Sequence, residues 1–243
     1  MESLELDMVD YSRQSELEDE LSDLYDFGRY VIVGCGGIGF WVGIFLAMLG
    51  RDSFVLIDGT KIDNSNLNRL PVPQNFIGIN KAIALRKIIR MLRPFAKVTC
   101  FSTNVTKENI NMIFKASFQS EYTHHKDGQM FHGTFVFDTT DNAVIQNLIY
   151  KTIHEIDDRN WDVKYLKVGY EGFAIGAYNE YQVWTVKDYQ PGYRTSKANV
   201  VTSALAAGIG IFKVGLGITS DLEIDFQKLI EKGVWKNGKK EKG

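Results

Sequence analysis

The run Val31-Ile32-Val33 feeds directly into Gly34-Cys35-Gly36-Gly37-Ile38-Gly39, and no other stretch so limits what this 243-residue chain can fold into. A short β-branched run that enters a glycine loop and leaves it as a helix is how an α/β fold holds phosphate. Gly34, Gly36 and Gly39 fit G-x-G-x-x-G, whose glycines serve a tight turn, close approach of backbone to phosphate, and close packing of helix on strand. The helix that follows presents unpaired N–H groups and partial positive charge at its start, which suits an anion. Alone, the motif also occurs as a mere close-packed turn. Its surroundings argue for more: a helix over residues 40–49 stops at Gly50, and a buried strand follows at 53–57. Asp58 then stands at that strand's carboxyl end, about 20 residues past the loop, where a ribose-binding acid belongs.

With 44% apolar residues the chain can bury a sizeable core, and a single main domain is the simplest arrangement. A net charge of -2 gives no general pull towards nucleic acid or an anionic membrane, so neither is expected as a partner. Met1 to Asp10 contain no basic residue and no apolar segment, unlike a secretory or transit peptide. The apolar stretch 201–218 carries Lys213 and several small residues, and reads as a packed helix and not a membrane span. Cys35 and Cys100 are the two cysteines, too few for a disulfide framework or a four-cysteine zinc site. A reduced, cytoplasmic setting without structural zinc is the expectation.

Residues 1–26 hold ten acidic residues and one basic residue, Arg13, in the run Tyr11-Ser12-Arg13-Gln14. Ser15 and Glu18 form a capping-box pattern, and Leu17, Leu21 and Leu24 recur at helical spacing, so a short amphipathic helix is expected just after Arg13. An arginine in such an arm is either a functional group or one more solvated charge of little consequence. Beyond Asp58 lies a long polar loop, Gly59-Thr60-Lys61-Ile62-Asp63-Asn64-Ser65-Asn66-Leu67-Asn68-Arg69-Leu70, closed by Pro71 and Pro73. Loops of that length in compact domains tend to be functional or disordered, and Arg69 and the loop amides could reach a polyphosphate. Asn80 can cap the next helix, whose apolar positions are Ile83, Leu85, Ile88, Ile89 and Leu92 and which stops before Pro94. Lys81 then falls in the first turn, where a cation opposes the helix dipole, and a residue set against a local rule is a candidate for function.

Residues 97–101 alternate as a strand containing Cys100, and Thr106 is expected to cap a helix through Phe114. The polar stretch 119–133 includes His124, His125 and His132. Adjacent histidines do not readily face one ion, and no cysteine or carboxylate follows at ligand spacing, so it reads as an exposed insertion. A buried strand at 134–137 leads to Asp138-Thr139-Thr140-Asp141-Asn142 and then a helix carrying Val144, Ile145, Leu148, Ile149 and Ile153. Ligands in open α/β sheets bind at that edge. Asp141 could hold Mg²⁺ against a triphosphate or could equally be a helix cap. Residues 164–168 read as a strand, and 172–177 with 181–186 as an antiparallel pair across Tyr178-Asn179-Glu180. A loop over 187–199 and a long helix from Val200 to about Leu216 follow, with small residues that permit close packing inside the molecule or at a dimer seam. The tail 236–243 is basic and glycine-containing and is expected to be disordered. The pattern implies an α/β, Rossmann-like, mainly parallel sheet with helices on both faces and an antiparallel extension in the C-terminal half.

Together these residues resemble the ThiF, MoeB and HesA group, the prokaryotic relatives of the adenylation domain of ubiquitin-activating enzymes, over about residues 11–216. The loop Gly34 to Gly39 is similar to the family's double-glycine loop, Asp58 to its ribose acid, and Ser65-Asn66-Leu67-Asn68-Arg69 to its Ser-Asn-Leu-x-Arg segment. Lys81 falls where the family has a lysine, and Thr140-Asp141-Asn142 matches its Thr-Asp-Asn. The resemblance implies ATP and Mg²⁺ as cofactors, and attack by a carboxylate, usually the C-terminus of a ubiquitin-like protein or peptide, on the α-phosphorus. It implies that Asp58 holds ribose, that Gly34, Gly36, Gly37 and Gly39 close on the nucleotide with Ser65, Asn66, Asn68 and Asn142 nearby, that Arg69 and Lys81 clamp phosphates, and that Asp141 carries the metal. Tyr11-Ser12-Arg13-Gln14 resembles the family's Arg-Tyr-x-Arg-Gln, with Asp10 in place of the first arginine, which implies a homodimer in which Arg13 enters the partner's site. The implied organisation is an arm and short helix over 1–27, an ATP-binding domain over 28–218, and a C-terminal helix and tail over 219–243.

Two departures bear on function. Leu70 replaces the glutamine usual after the arginine, and no cysteine follows Cys100, where many members have a catalytic cysteine and two zinc-binding C-x-x-C pairs. A thioester in cis is therefore not expected, and the acyl group would pass to a separate thiol, sulfur donor or amine. The other reading is a non-catalytic ATP-binding module that regulates or scaffolds a partner. Arg69 and Lys81 beside Asp141 favour the enzyme, since ATP binding alone needs fewer cations.

Overall fold

The structure, a computed structural model, describes residues 14, 20–25, 27–118, 124–126, 129–131, 133–157, 163–171, 174–179 and 199–231. In chain order these form α1 (Ser22–Tyr25), β1 (Phe27–Val33), α2 (Gly37–Met48), β2 (Ser53–Ile57), α3 (Lys81–Leu92), β3 (Lys97–Phe101), α4 (Ile110–Phe118), β4 (His124–Lys126), β5 (Gln129–Phe131), β6 (Gly133–Asp138), α5 (Ala143–Asp157), β7 (Val163–Glu171), β8 (Ala174–Tyr178), α6 (Val200–Gly215), β9 (Leu222–Asp225) and α7 (Phe226–Glu231).

Among the described residues, seven strands make one sheet in the order β3-β2-β1-β6-β7-β8-β9, while β4 and β5 pair with each other. Neighbours from β3 to β7 are parallel, and β8 and β9 add antiparallel. Successive β-branched and aromatic residues on β1 point to opposite faces and are buried on both, as a central parallel strand requires. Tyr30 and Ile32 pack with α2, α3 and α6, whereas Val31 and Val33 pack with α4 and α5. Phe137 sits between Tyr30 and Phe135 in the first of these layers, so truncating it to alanine should cost about 3–5 kcal/mol.

The chain winds outward from β1 through β2 to β3, then returns to place β6 on the other side of β1. That reversal is the topological switch point, beyond whose strand ends open α/β sheets bind ligands. Register brings the pieces level: Val33 pairs with Ile57 on one side and Asp138 on the other, and Asp138 pairs with Lys167.

Several expectations shift. The helix after the glycine loop begins at Gly37 and not Phe40, because Gly36 already serves as its N-cap. The helix expected from Thr106 starts as a turn closed by Asn109 and Ile110 amides on the Thr106 carbonyl, becomes regular at Ile110, and runs to Phe118. The stretch 181–186, expected to pair with 172–177, lies outside the described residues. Among the described residues β8 pairs with β7 and with β9, which lies in the segment after residue 218. Of the N-terminal helix, residues 15–19 also lie outside the described set, but Leu21 and Leu24 are buried as their spacing predicts. His124 and His125 lie on β4, opposite β5. No helix among the described residues is long and apolar enough to cross a membrane.

Candidate functional site

The glycine loop is held by what each glycine would strike if it carried a side chain. Gly34 has φ +90 and bonds its amide to Ile57 O at 2.8 Å, which turns the chain sharply off β1. A Cβ on Gly39 would stand 2.0 Å from Gly34 O and 2.6 Å from Thr139 Oγ1, so only glycine lets α2 seat this close to the strand ends. A Cβ on Gly36 would meet nothing within 4 Å. Gly36 therefore faces open space at the N-terminus of α2, where the first-turn amides lack helical partners. Above Gly37 the surroundings are polar: a Cβ there would lie 2.8 Å from Ser203 Oγ, 3.2 Å from Arg69 Cδ and 3.4 Å from Tyr170 OH.

Asp58, at the end of β2, is half-buried and reaches back to the loop. Its Oδ2 accepts from the Cys35 amide at 2.8 Å, while Oδ1 accepts from the Thr60 amide at 2.7 Å and hydroxyl at 2.6 Å. Asn80 caps α3 through Oδ1 on the Ala82 and Ile83 amides, and its Nδ2 donates to Asp58 O at 2.7 Å. The cap thus ties the start of α3, and with it Lys81, to the acid.

The loop between them is shaped from within. Asp63 Oδ1 accepts from Ser65 and from Asn66 Nδ2, and the Ser65 hydroxyl bond, ahead of smaller contributions from Lys81 and Arg69, holds its carboxyl below the usual range. Asn66 is buried. Arg69 Nη1 donates to Ser65 O at 2.7 Å and Asn68 Oδ1 at 3.0 Å, and Trp41 Nε1 donates to Arg69 O at 3.1 Å. Ser65, Asn66 and Asn68 are therefore the frame of the loop that carries Arg69 over Gly37. The Lys81 amide donates to Thr60 O at 2.9 Å, while its ammonium makes no hydrogen bond or ion pair among the described residues and is available to a ligand.

Across the switch point, the Thr139 amide bonds to Val33 O and its hydroxyl to Gly34 O. Thr140 gives its amide and hydroxyl to Asp138 Oδ1 at 3.0 and 2.7 Å, and Tyr165 OH donates to Asp138 Oδ2 at 3.0 Å. Asn142 is the cap of α5, accepting from the Val144 and Ile145 amides. The cap role left open for Asp141 thus belongs to its neighbour, and Asp141 is exposed, without a hydrogen bond among the described residues.

Among the described residues, no group of three or more acidic, histidine or cysteine side chains could hold a metal by itself. Mg²⁺ binds through one or two carboxylates and completes its octahedron with water and substrate phosphates, so one well-placed carboxylate could serve it. Asp138 is fully buried with both carboxylate oxygens engaged, so Asp141 is the carboxylate that fits the role. Cys35 is buried within the cradle, and burial first, then the Asp58 charge, push its thiol well above its ordinary range. Cys100 bonds to Ala82 O on the far side of β2, and burial raises it too.

The structure thus brings Gly34, Gly36, Gly37, Gly39, Asp58, Arg69, Lys81 and Asp141 to one sheet edge. Arg13 lies outside the described residues. Sequence reading passed over Tyr170 and Ser203, whose hydroxyls lie 3.1 Å apart above Gly37, and Lys167, a lysine amid an apolar strand. Burial lowers the Lys167 amine, with Asp138 and Asp141 acting in the opposite sense.

A family model described as the ThiF family matches residues 11–203. Among curated proteins, the chain is 34% identical over 86 residues to the adenylyltransferase and sulfurtransferase MOCS3 of Dictyostelium discoideum, covering 35% of this chain and 20% of that protein. It is 32% identical over 88 residues to the tRNA threonylcarbamoyladenosine dehydratase of Escherichia coli, covering 36% of this chain and 33% of that one. The matches thus span a third or less of these relatives. Among solved structures, E. coli MccB with MccA-N7isoASN superposes with a TM-score of 0.63 at 18% identity, covering 88% of this chain and 68% of that one. E. coli MccB with ATP gives a TM-score of 0.58 at 17% identity, covering 83% and 62%. At these identities the structures speak for the fold.

Proposed function

The chain belongs to the ThiF family, and from that premise we propose that it is an ATP-dependent adenylyltransferase. Its acyl substrate is the C-terminal carboxylate of a ubiquitin-like protein or peptide. The observation that carries this reading is what gathers at one sheet edge beside the open side of Gly36: Arg69 over Gly37, Lys81 at the start of the helix that Asn80 ties to Asp58, and the exposed Asp141 beyond β6.

The chemistry accounts for the residue types. A carboxylate oxygen forms a bond to the α-phosphorus, the bond from that phosphorus to the bridging oxygen breaks, and pyrophosphate leaves with the electron pair. The nucleophile is already an anion, so no general base is required. The barrier is the approach of one anion to another and the charge developing on the leaving group, which fixed cations offset. Asp58 holds the ribose, the first-turn amides of α2 and Arg69 bind the α-phosphate region, and Lys81 approaches from the start of α3. Asp141 would hold Mg²⁺, which when bound would supply further neutralisation of the triphosphate.

No thiol is poised to take the acyl group: Cys35 is buried and held protonated, and Cys100 faces Ala82 O. The acyl-adenylate therefore passes to a separate thiol, sulfur donor or amine, in a reduced, cytoplasmic setting. The working unit in this reading is a homodimer with Arg13 acting in trans. Gln14 Nε2 donates to Leu49 O at the far end of α2 from Gly37, and α2 is about 18 Å long at the helical rise. Gln14, the residue after Arg13 in sequence, is thus anchored at the end of α2 remote from the glycine loop. Met48 on α2 and Val201, Leu205, Phe212 and Leu216 along α6 and its cap are exposed apolar residues that a second copy would cover.

ATP–pyrophosphate exchange tests the proposal, using ubiquitin-fold proteins and short peptides encoded by neighbouring genes as acyl substrates. Mg²⁺-dependent exchange with one of them is the expected result. Tight NAD binding with no response to ATP would overturn it.

A further inference from the structure

One main-chain oxygen at the switch point has two buried donors. Thr140 O accepts from Gln146 Nε2 at 2.6 Å and from Lys167 Nζ at 2.7 Å, and the lysine also reaches Val168 O at 3.3 Å. With its amide and hydroxyl on Asp138, Thr140 is held at every polar atom it has. Gln146 and Lys167 are 7% and 8% exposed, and Asp138 is fully buried. An ammonium in such a place costs far more desolvation than a neutral group, and Gln146 already satisfies the carbonyl. No carboxylate lies within ion-pair distance of the lysine among the described residues, so its charge is not spent on a salt bridge. The peptide bond from the carbonyl it grips leads directly to Asp141.

We infer that Lys167 is a positioning residue for Asp141, resting on the ATP·Mg²⁺ reading above. It clamps the Thr140 carbonyl so that the Asp141 carboxylate faces the triphosphate. The charges of Asp138 and Asp141 act on the Lys167 amine in the sense that favours the ammonium. Residues that orient a metal-bearing carboxylate typically change metal affinity by about 10–100-fold when removed.

Calorimetry of ATP in Mg²⁺ and in EDTA, with AMP as a metal-independent control, reads this without any acyl substrate. The wild type should bind ATP more tightly in Mg²⁺, and Asp141→Ala should abolish the gain. Lys167→Met should reduce the Mg²⁺ gain at least tenfold while leaving AMP affinity as in the wild type, and Lys167→Arg should restore part of it. The double variant Asp141→Ala/Lys167→Met should be no worse than Asp141→Ala alone, because both act through one carboxylate. A full Mg²⁺ gain in Lys167→Met, or equal losses for ATP and AMP, would overturn the inference. Should Lys167→Met fail to fold, Gln146→Leu removes the other donor on the same oxygen, and an undiminished Mg²⁺ gain there overturns it equally. A wild type with no Mg²⁺ gain would instead overturn the functional reading, and this inference with it.

Discussion

The amide of Cys35 donates to Asp58 Oδ2 at 2.8 Å, so the first turn of the glycine loop hangs from the acid at the end of the neighbouring strand. A carboxylate at this place shapes the glycine loop and, in the proposed reading, also faces the ribose. Hydrogen bonds to a charged group contribute about 1.5–3 kcal/mol each, so Asp58→Ala should weaken ATP by roughly 10–100-fold or more by calorimetry. Asp58→Asn keeps an acceptor for the Cys35 amide and should lose less.

Gly36 and Gly39 should separate binding from stability. Gly39→Ala drives a methyl to 2.0 Å from Gly34 O, and overpacking of this kind costs about 1–3 kcal/mol, so its melting temperature and its ATP affinity should both fall. Gly36→Ala meets no atom within 4 Å and should melt like the wild type, yet its methyl enters the space a phosphate needs. A Gly36→Ala protein with unchanged ATP affinity would place the phosphates elsewhere.

The thiols should stay silent. A free thiol ionises near pH 8.5, whereas burial, and then Asp58, keep Cys35 protonated well above that. Native protein should therefore react with a thiol reagent far more slowly across pH 7–9 than unfolded protein. The same shift has a stability sign: the folded pKa lies above the unfolded one, so its contribution is intact below about pH 8.5 and is lost as pH rises through the folded value. Intact mass after incubation with ATP and substrate should show no thiol-sensitive adduct.

Arg13→Ala and Asp141→Ala should each be inactive in exchange, and their mixture should regain activity, because some heterodimers hold one intact site built from both chains. An arginine supplied across an interface contributes about 10³–10⁵ in rate in phosphoryl transfer, and the lower end is expected here. If the mixture stays inactive although subunits exchange, Arg13 does not act in trans.

The parallel half of the fold was legible because its signals are local. The strands at 53–57 and 97–101 coincide with β2 and β3, and Asn80 caps α3 as its spacing predicts. The antiparallel half was less so, because β8 takes β9 as its outer partner across more than forty intervening residues, and adjacency in sequence favoured a hairpin. The same holds for the site. Asp58, Arg69, Lys81 and Asp141 carry motif signatures, whereas Lys167, Tyr170 and Ser203 join the site only through strand pairing and helix packing. Lys167 alone left a trace, as a cation inside an apolar strand. Asn142, not Asp141, became the cap because both types cap helices equally well and only the backbone decides which residue stands one turn before Ile145.

The Thr139 hydroxyl bonds to Val33 O across 106 residues of sequence, and this gives the cradle an order of assembly. β1, α2 and β2 can form early from contacts between neighbours in the chain, with the Cys35–Asp58 bond among them. The floor under Gly34 and Gly39 must wait for β6, and distant pairings close late because their loop entropy is lost before their contacts are gained. A ribosome-bound chain that has emerged only through β3 therefore carries the glycine loop and its acid but not Thr139, Thr140 or Asp141. Competence for ATP·Mg²⁺ should accordingly arrive in one late step, when β6 docks against a β1 that has been waiting for it.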